Sequence, residues 1–261
     1  KTYAGGMGVL EKERKKYLRL RNCAGGLGGT LFSTLLAVFA TLLHRLSGRD
    51  DLVIGVPSAG QTLAGCDQLV GHCLNFLPMR LRPSGTFHEF SARVGAEVIS
   101  SYEHQNVTFG SLLRDIKVPR DPSRLPLVSV MFNIDRSGFD NLEFDGLEFG
   151  IRTNPKQFVN FDLFFNLQQS AEKLEVECEY NTDLFDAGTI RRWLDSFETL
   201  IGGILDHRDG DLLELPVLGK AERAILLGDA VATFRDYERE IPVHRLVSRI
   251  AENYPAKVAV I

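Results

Sequence analysis

Residues 51–82 read DLVIGVPSAGQTLAGCDQLVGHCLNFLPMRLR. The apolar run Leu52-Val53-Ile54-Gly55-Val56 predicts a short buried strand. Pro57-Ser58-Ala59-Gly60 predicts a turn opening into a loop. A second run, Cys73 to Leu81, predicts another extended segment. The loop between them is longer than a simple connection requires, and loops of that kind often carry function. Asn75 sits inside the second apolar run, so if buried it must find hydrogen-bond partners. It is either a residue that pins a loop or one that lines a site.

The composition around this stretch excludes several classes of function. A chain of 261 residues with 44% hydrophobic and 25% charged residues is ordinary for a globular protein and long enough for a sizeable core. A net charge of -4 provides no basic footprint for nucleic acid. The four cysteines, Cys23, Cys66, Cys73 and Cys178, lack metal-ligand spacing, so no metal site is expected. They read as free thiols of a cytoplasmic protein. The longest apolar run, Thr30 to Leu43, stops at His44-Arg45; it is too short to span a bilayer and suits a buried helix.

In chain order, residues 1–9 read as an exposed lead-in and Glu11 to Leu20 as a short charged helix. Gly25-Gly26-Leu27-Gly28-Gly29 has neither a strand before it nor Lys-Ser/Thr after it, so it reads as a linker rather than a phosphate cradle. Thr30 is the expected N-cap of a helix from Leu31 to Leu46, closed by Ser47-Gly48. Thr86 should cap a helix from Phe87 to about His104, and Phe109 to Ile116 should add further helical turns. Leu127 to Ile134 predicts a buried strand on which Ser129, Met131 and Asn133 share one face, a possible cavity lining. A hairpin is expected between Leu142 and Arg152, turning at Asp145-Gly146.

Phe161 to Gln169 and Leu174 to Tyr180 predict two more strands. The second alternates Leu174, Val176, Cys178 and Tyr180 with Glu175, Glu177 and Glu179, which implies one face to the core and one to water. Asp186 should start a helix ending near His207, Leu212 to Ala232 reads as a connecting segment, and Val243 to Asn253 as an amphipathic helix. Lys257 to Ile261 reads as the beginning of a strand. The six histidines show no arrangement with Ser, Cys or Asp that sequence can reveal as catalytic, and the common hydrolase, kinase and zinc-protease signatures are absent. The residues themselves lead to an α/β domain with a polar-lined cavity and no identifiable catalytic group.

Several segments, in order, resemble the C-terminal lobe of a condensation domain of non-ribosomal peptide synthetases. Ile54-Gly55-Val56-Pro57-Ser58-Ala59-Gly60-Gln61 is similar to the family's IG-x-P-x-AGR motif, with Gln61 where Arg is usual. Val70-Gly71-His72-Cys73-Leu74-Asn75-Phe76-Leu77-Pro78-Met79-Arg80 resembles G-x-x-VN-x-LP-x-R. His104 to Phe109 resembles HQ-x-x-PF, with Thr108 in place of the proline, and Arg120 to Leu127 resembles RD-x-SR-x-PL. Val243-His244-Arg245-Leu246 through Lys257-Val258-Ala259-Val260 resembles the opening of an adenylation domain. Phe158 to Leu163 and Met131 to Asp135 look, more specifically, like condensation domains of mixed polyketide–peptide assembly lines.

The resemblance implies an α/β, chloramphenicol acetyltransferase-like lobe, a mixed sheet with packed helices that forms one half of a two-lobed domain. Residues 1–215 would be that lobe, 216–238 a linker and 239–261 the start of an adenylation domain. The implied reaction joins a donor acyl or peptidyl thioester to an acceptor amine, both carried on phosphopantetheine arms of partner peptidyl carrier domains. No cofactor would bind this chain directly. The family's HH-x-x-x-DG motif belongs to the other lobe, and no His-His pair occurs here, so no catalytic residue is expected in this chain and it should be inactive alone. The expected tunnel-facing residues are Ser129 and Asn133, with Asn75 and Ser58 in or beside a crossing loop. The implied partners are the two carrier domains, the N-terminal lobe and the downstream adenylation domain, with no nucleic acid or membrane. Two alternatives are a condensation-like recruitment module without catalysis and a coenzyme A-dependent acyltransferase of the same superfamily.

Overall fold

The computed structural model describes residues 2–258 apart from 13, 28, 61–69, 120, 123, 137–144, 148–152, 155, 171–173, 229–230, 235 and 237–239. The crossing loop's residues 61–69 with Cys66, most of the 142–152 hairpin and most of the strand expected at Lys257 to Ile261 therefore lie outside the described residues. The chain divides into two compact units, Lys1–Gly219 and Lys220–Ile261.

The first unit is built on six strands: β1 (Gly5–Lys12), β2 (Leu52–Ala59), β3 (Leu74–Leu81), β4 (Val130–Arg136), β5 (Leu163–Gln169) and β6 (Leu174–Asn181). They form one mixed sheet in the order β1-β6-β5-β4-β2-β3. The β2–β4 and β4–β5 pairs are parallel and the others antiparallel. Its helices are α1 (Arg14–Gly26), α2 (Leu31–Ser47), α3 (Phe87–Glu103), α4 (Phe109–Asp115) and α5 (Ala187–Asp206). Among the described residues no single helix is long and apolar enough to cross a membrane.

One face of the sheet is covered by helices. Phe39 of α2 stacks on Phe132 of β4 at 5.6 Å and on Phe165 of β5 at 4.4 Å, and Phe165 meets Phe197 of α5 edge-on at 5.5 Å. Most of α2 is buried, in keeping with its nearly unbroken apolar sequence. The expected caps are present. Thr30 and Ser33 form a capping box, and Gly48 closes α2 at φ 66°, a conformation glycine adopts without strain. Thr86 and Glu89 form a second box at α3, and Asp186 caps α5 through Thr189 N–H at 2.7 Å.

Three expectations need correction. Residues 1–9 are not a lead-in, because Gly5–Lys12 is the edge strand β1, paired in register with β6. Its glycines hide it from a propensity reading, yet they are what the packing demands. A Cβ on Gly6 would lie 2.6 Å from the Tyr180 ring, and one on Gly8 would lie 2.9 Å from Ile190 Cγ2. Pro57, Ser58 and Ala59 are not a turn but the end of β2, paired with Phe76, Asn75 and Leu74. The outer face of β6 is largely closed to water: Glu177 is 3% and Glu179 5% exposed, and only Glu175 is half-exposed. That face is polar but enclosed. Glu177 stands opposite Asn166, and Lys156 closes over Glu179 at 2.5 Å.

The segment after α5 also does more than connect. Leu212 and Leu215 are buried in the core, and Arg45 donates to both of their carbonyls at 2.9 Å. The second unit holds α6 (Lys220–Leu227) and the amphipathic α7 (Val243–Asn253), whose Val243, Val247 and Ile250 are exposed.

Gly6→Val should destabilise the first unit by about 1–3 kcal/mol through overpacking against Tyr180, read as a lowered denaturation midpoint in urea. At α5, the Thr189 backbone and hydroxyl hydrogen bonds hold the Asp186 carboxyl below its ordinary value of 3.8. A depressed folded pKa contributes stability above the unfolded value and loses it as pH falls through the folded one. The melting-temperature gap between wild type and Asp186→Ala should therefore be full at any pH well above 3.8 and narrow only as the pH falls below that value.

Candidate functional site

The four expected site residues fall on two faces of the sheet. Ile54, Val56, Leu77 and Met79 join the helix-side core, and Ser58 and Asn75 continue that alternation as a cross-strand pair. Asn133 follows Phe132, whose ring faces α2, so Asn133 points to the opposite face. The structure thus brings Ser58 and Asn75 together and separates both from Asn133.

Asn75 grips the loop between α3 and α4. Its Nδ2 donates to the carbonyls of Gln105 at 3.1 Å and Val107 at 2.9 Å, and its Oδ1 accepts from Phe109 N–H at 3.0 Å. Ser58, 3% exposed, donates from Oγ to Gln105 Oε1 at 2.8 Å. The loop, His104 to Thr108, is thereby held to the outer strand β3 and the end of β2. It also wraps the sheet edge, because the Phe109 ring meets Phe76 edge-on at 6.1 Å on the other side of β3. A loop placed across an edge strand protects it from pairing with another chain. Thr108, which stands where the resembled motif has proline, caps α4 through Ser111 N–H at 3.2 Å. His104 is exposed, with Nδ1 against Ser100 O at 2.8 Å. Gln105 appears in the quoted motif but was not among the expected site residues; its two contacts come from strands distant in sequence.

On the other face, Asn133 is half-buried and lies in register with Asn166, which is in register with Glu177. Asn133 Nδ2 donates to Asn166 Oδ1 at 3.0 Å and to Asp135 Oδ1 at 2.7 Å. Glu177 Oε2 is buried without a hydrogen-bond partner among the described residues. The amide row was only partly visible in sequence, because Asn166 and Glu177 reach Asn133 through sheet order. Next to it, Phe161 meets Phe76 at 5.8 Å and Phe164 at 6.2 Å, forming an aromatic border.

Ser129 lies one residue before β4, half-buried, and its carbonyl accepts from Asp162 N–H at 2.9 Å. It sits roughly 13 Å along the strand direction from Asn133. Met131, between them, is 1% exposed. Burial raises the Cys178 thiol above its ordinary pKa, which fits an inert core thiol. Among the described residues no cluster of His, Cys, Asp and Glu is suited to a metal ion.

The arrangement combines a mixed sheet, helices on one face, a polar row on the other and a loop clamped across one edge. The sequence pattern of the condensation domain matches residues 6–227. This chain belongs to the condensation domain family. One of the linear gramicidin synthase subunits of Brevibacillus parabrevis is 36% identical over 238 residues, covering 90% of this chain and 3% of that protein. One of the plipastatin synthase subunits of Bacillus subtilis (strain 168) is 32% identical over 238 residues, covering 90% of this chain and 9% of that protein. The chain thus spans a small fraction of these relatives.

Among solved structures, a four-domain nonribosomal peptide synthetase bound to AMP and glycine superposes with a TM-score of 0.82 at 21% identity, covering 98% of this chain and 21% of the other. The first condensation domain of the calcium-dependent antibiotic synthetase gives 0.68 at 20% identity, covering 83% of this chain and 47% of the other. The mixed sheet with packed helices is therefore the fold of condensation domains.

Asn75→Ala removes three hydrogen bonds to the 104–109 loop. It should speed amide hydrogen exchange at Phe109 and through α4 by at least tenfold while leaving α5 protected. Unchanged exchange at Phe109 would show that the loop is held by other contacts.

Proposed function

We propose that residues 1–215 are the C-terminal lobe of a condensation domain, that 216–238 form the linker leaving it, and that 239–261 begin an adenylation domain. The observation that carries this reading is coverage: most of this chain matches about half of a solved condensation domain. The match to a four-domain synthetase extends over nearly the whole chain and supports the assignment of the tail.

The reaction is amide formation in non-ribosomal peptide assembly, within either a purely peptide or a mixed polyketide–peptide system. An acceptor aminoacyl amine attacks the carbonyl of a donor acyl or peptidyl thioester. The C–N bond forms, the C–S bond breaks, and the amine proton passes through the site to the leaving thiol of the donor arm. Both substrates arrive as thioesters on phosphopantetheine arms of peptidyl carrier domains, which are the partners together with the N-terminal lobe and the downstream adenylation domain. We place the assembly in the cytoplasm.

The chain's contribution is positioning. It supplies one wall of the site, with the clamped loop at its edge and the polar row on its face, and it fixes donor and acceptor relative to one another. The proton-transfer base belongs to the N-terminal lobe.

With donor and acceptor carriers loaded, the chain alone should form no amide product above the uncatalysed rate, whereas the same chain joined to its upstream lobe should form it. Full activity of the isolated chain would overturn the division of labour. No activity of the joined protein would overturn the function.

A further inference from the structure

Asn133 has two N–H donors and one carbonyl oxygen, and the structure commits both donors. Asn133 Nδ2 lies 2.7 Å from Asp135 Oδ1 and 3.0 Å from Asn166 Oδ1. A carboxylate offers only acceptors, so the nitrogen must be the atom facing Asp135. The amide cannot reverse without setting its own oxygen against that carboxylate. Asp135 is in turn approached by Gln168 Nε2 at 3.5 Å, which adds a second donor at the same group. What Asn133 has left for a substrate is its oxygen alone.

We infer that Asn133 is a contact that orients the acceptor substrate, presenting its carbonyl oxygen to an N–H of the attacking amine. The inference rests on the proposed function and assigns this residue to one side of the reaction. Polarising the donor thioester carbonyl requires a hydrogen-bond donor, and Asn133 has none to spare. A neutral primary amine offers two N–H groups and a lone pair. Accepting one N–H orients the nitrogen and leaves the lone pair free to attack. The surroundings have the same polarity. Asp135 lies two residues along β4 from Asn133, in register with Gln168, and Glu177 Oε2, buried and unpartnered among the described residues, lies at the far end of the Asn133–Asn166–Glu177 row. Acceptor oxygens at both of these places favour an incoming N–H group. Asn166 acts through Asn133 as a positioning residue, since its Oδ1 holds one of the two N–H groups in place.

The test uses the parent synthetase with both lobes and loaded carriers. Acceptor and donor concentrations are varied separately, and thermal unfolding is measured for every variant. Asn133→Leu should raise the acceptor KM by roughly tenfold, the scale of one lost hydrogen bond, with the donor KM unchanged. Asn133→Asp retains acceptor oxygens and should bind acceptor better than Asn133→Leu. Should Asn133→Asp fail to fold beside Asp135, Asp135→Ala serves in its place: it releases the amide and should raise the acceptor KM while sparing the donor KM. A rise confined to the donor KM, or an unchanged acceptor KM in folded Asn133→Leu, would overturn the inference and leave the proposed function standing. A wild-type parent that forms no amide would overturn both.

Discussion

The stack of Phe39 against Phe132 and Phe165 is the contact on which the first unit depends. It seats the most apolar helix across the two central parallel strands. A parallel pair requires a crossover connection, and the covering helices bury the face that the crossover leaves. With α2 and α5 fixed on one side, the alternation of every strand is decided: Phe132 and Phe165 face the helices, and Asn133 and Asn166 face away. The polar row is the other half of the same constraint.

The sheet edges complete this arrangement. At one edge, β1 carries glycines where the Tyr180 ring and the side chains of α5 approach most closely. At the other, the α3–α4 loop is wrapped around β3 by Asn75, Ser58 and Gln105. This clamp joins two stretches that carry the family resemblance, so the crossing element and α4 have a common anchor. Asn75 spends both its donors and its acceptor on the backbone of that loop, which accounts for a polar residue within an apolar strand.

The local elements were readable from the chain because their causes are local. The caps at Thr30, Thr86 and Asp186, the Gly48 terminus and the apolar pattern of the long helices depend on neighbours within a turn or two. The ordered run of motifs from Ile54 to Leu127 was sufficient to point to the family. Elements whose reasons lie elsewhere in the chain were not legible in this way. Gly5–Lys12 looks unlike a strand until Tyr180 and Ile190 are placed beside it. The alternating glutamates of β6 look solvated until Lys156 and Asn166 enclose them.

The sequence by itself determined the secondary structure of the long helices and central strands, the family, and the short list containing Ser58, Asn75, Ser129 and Asn133. Only the tertiary structure decided which of these residues belong together. Period-two alternation within a strand tells which of its side chains share a face, but not which face is covered, because that depends on helices far away in sequence. Nor does it tell which atom of an amide is free. That is settled when Asp135 and Asn166 take both hydrogens of Asn133, since a carboxylate and a carbonyl oxygen can only accept.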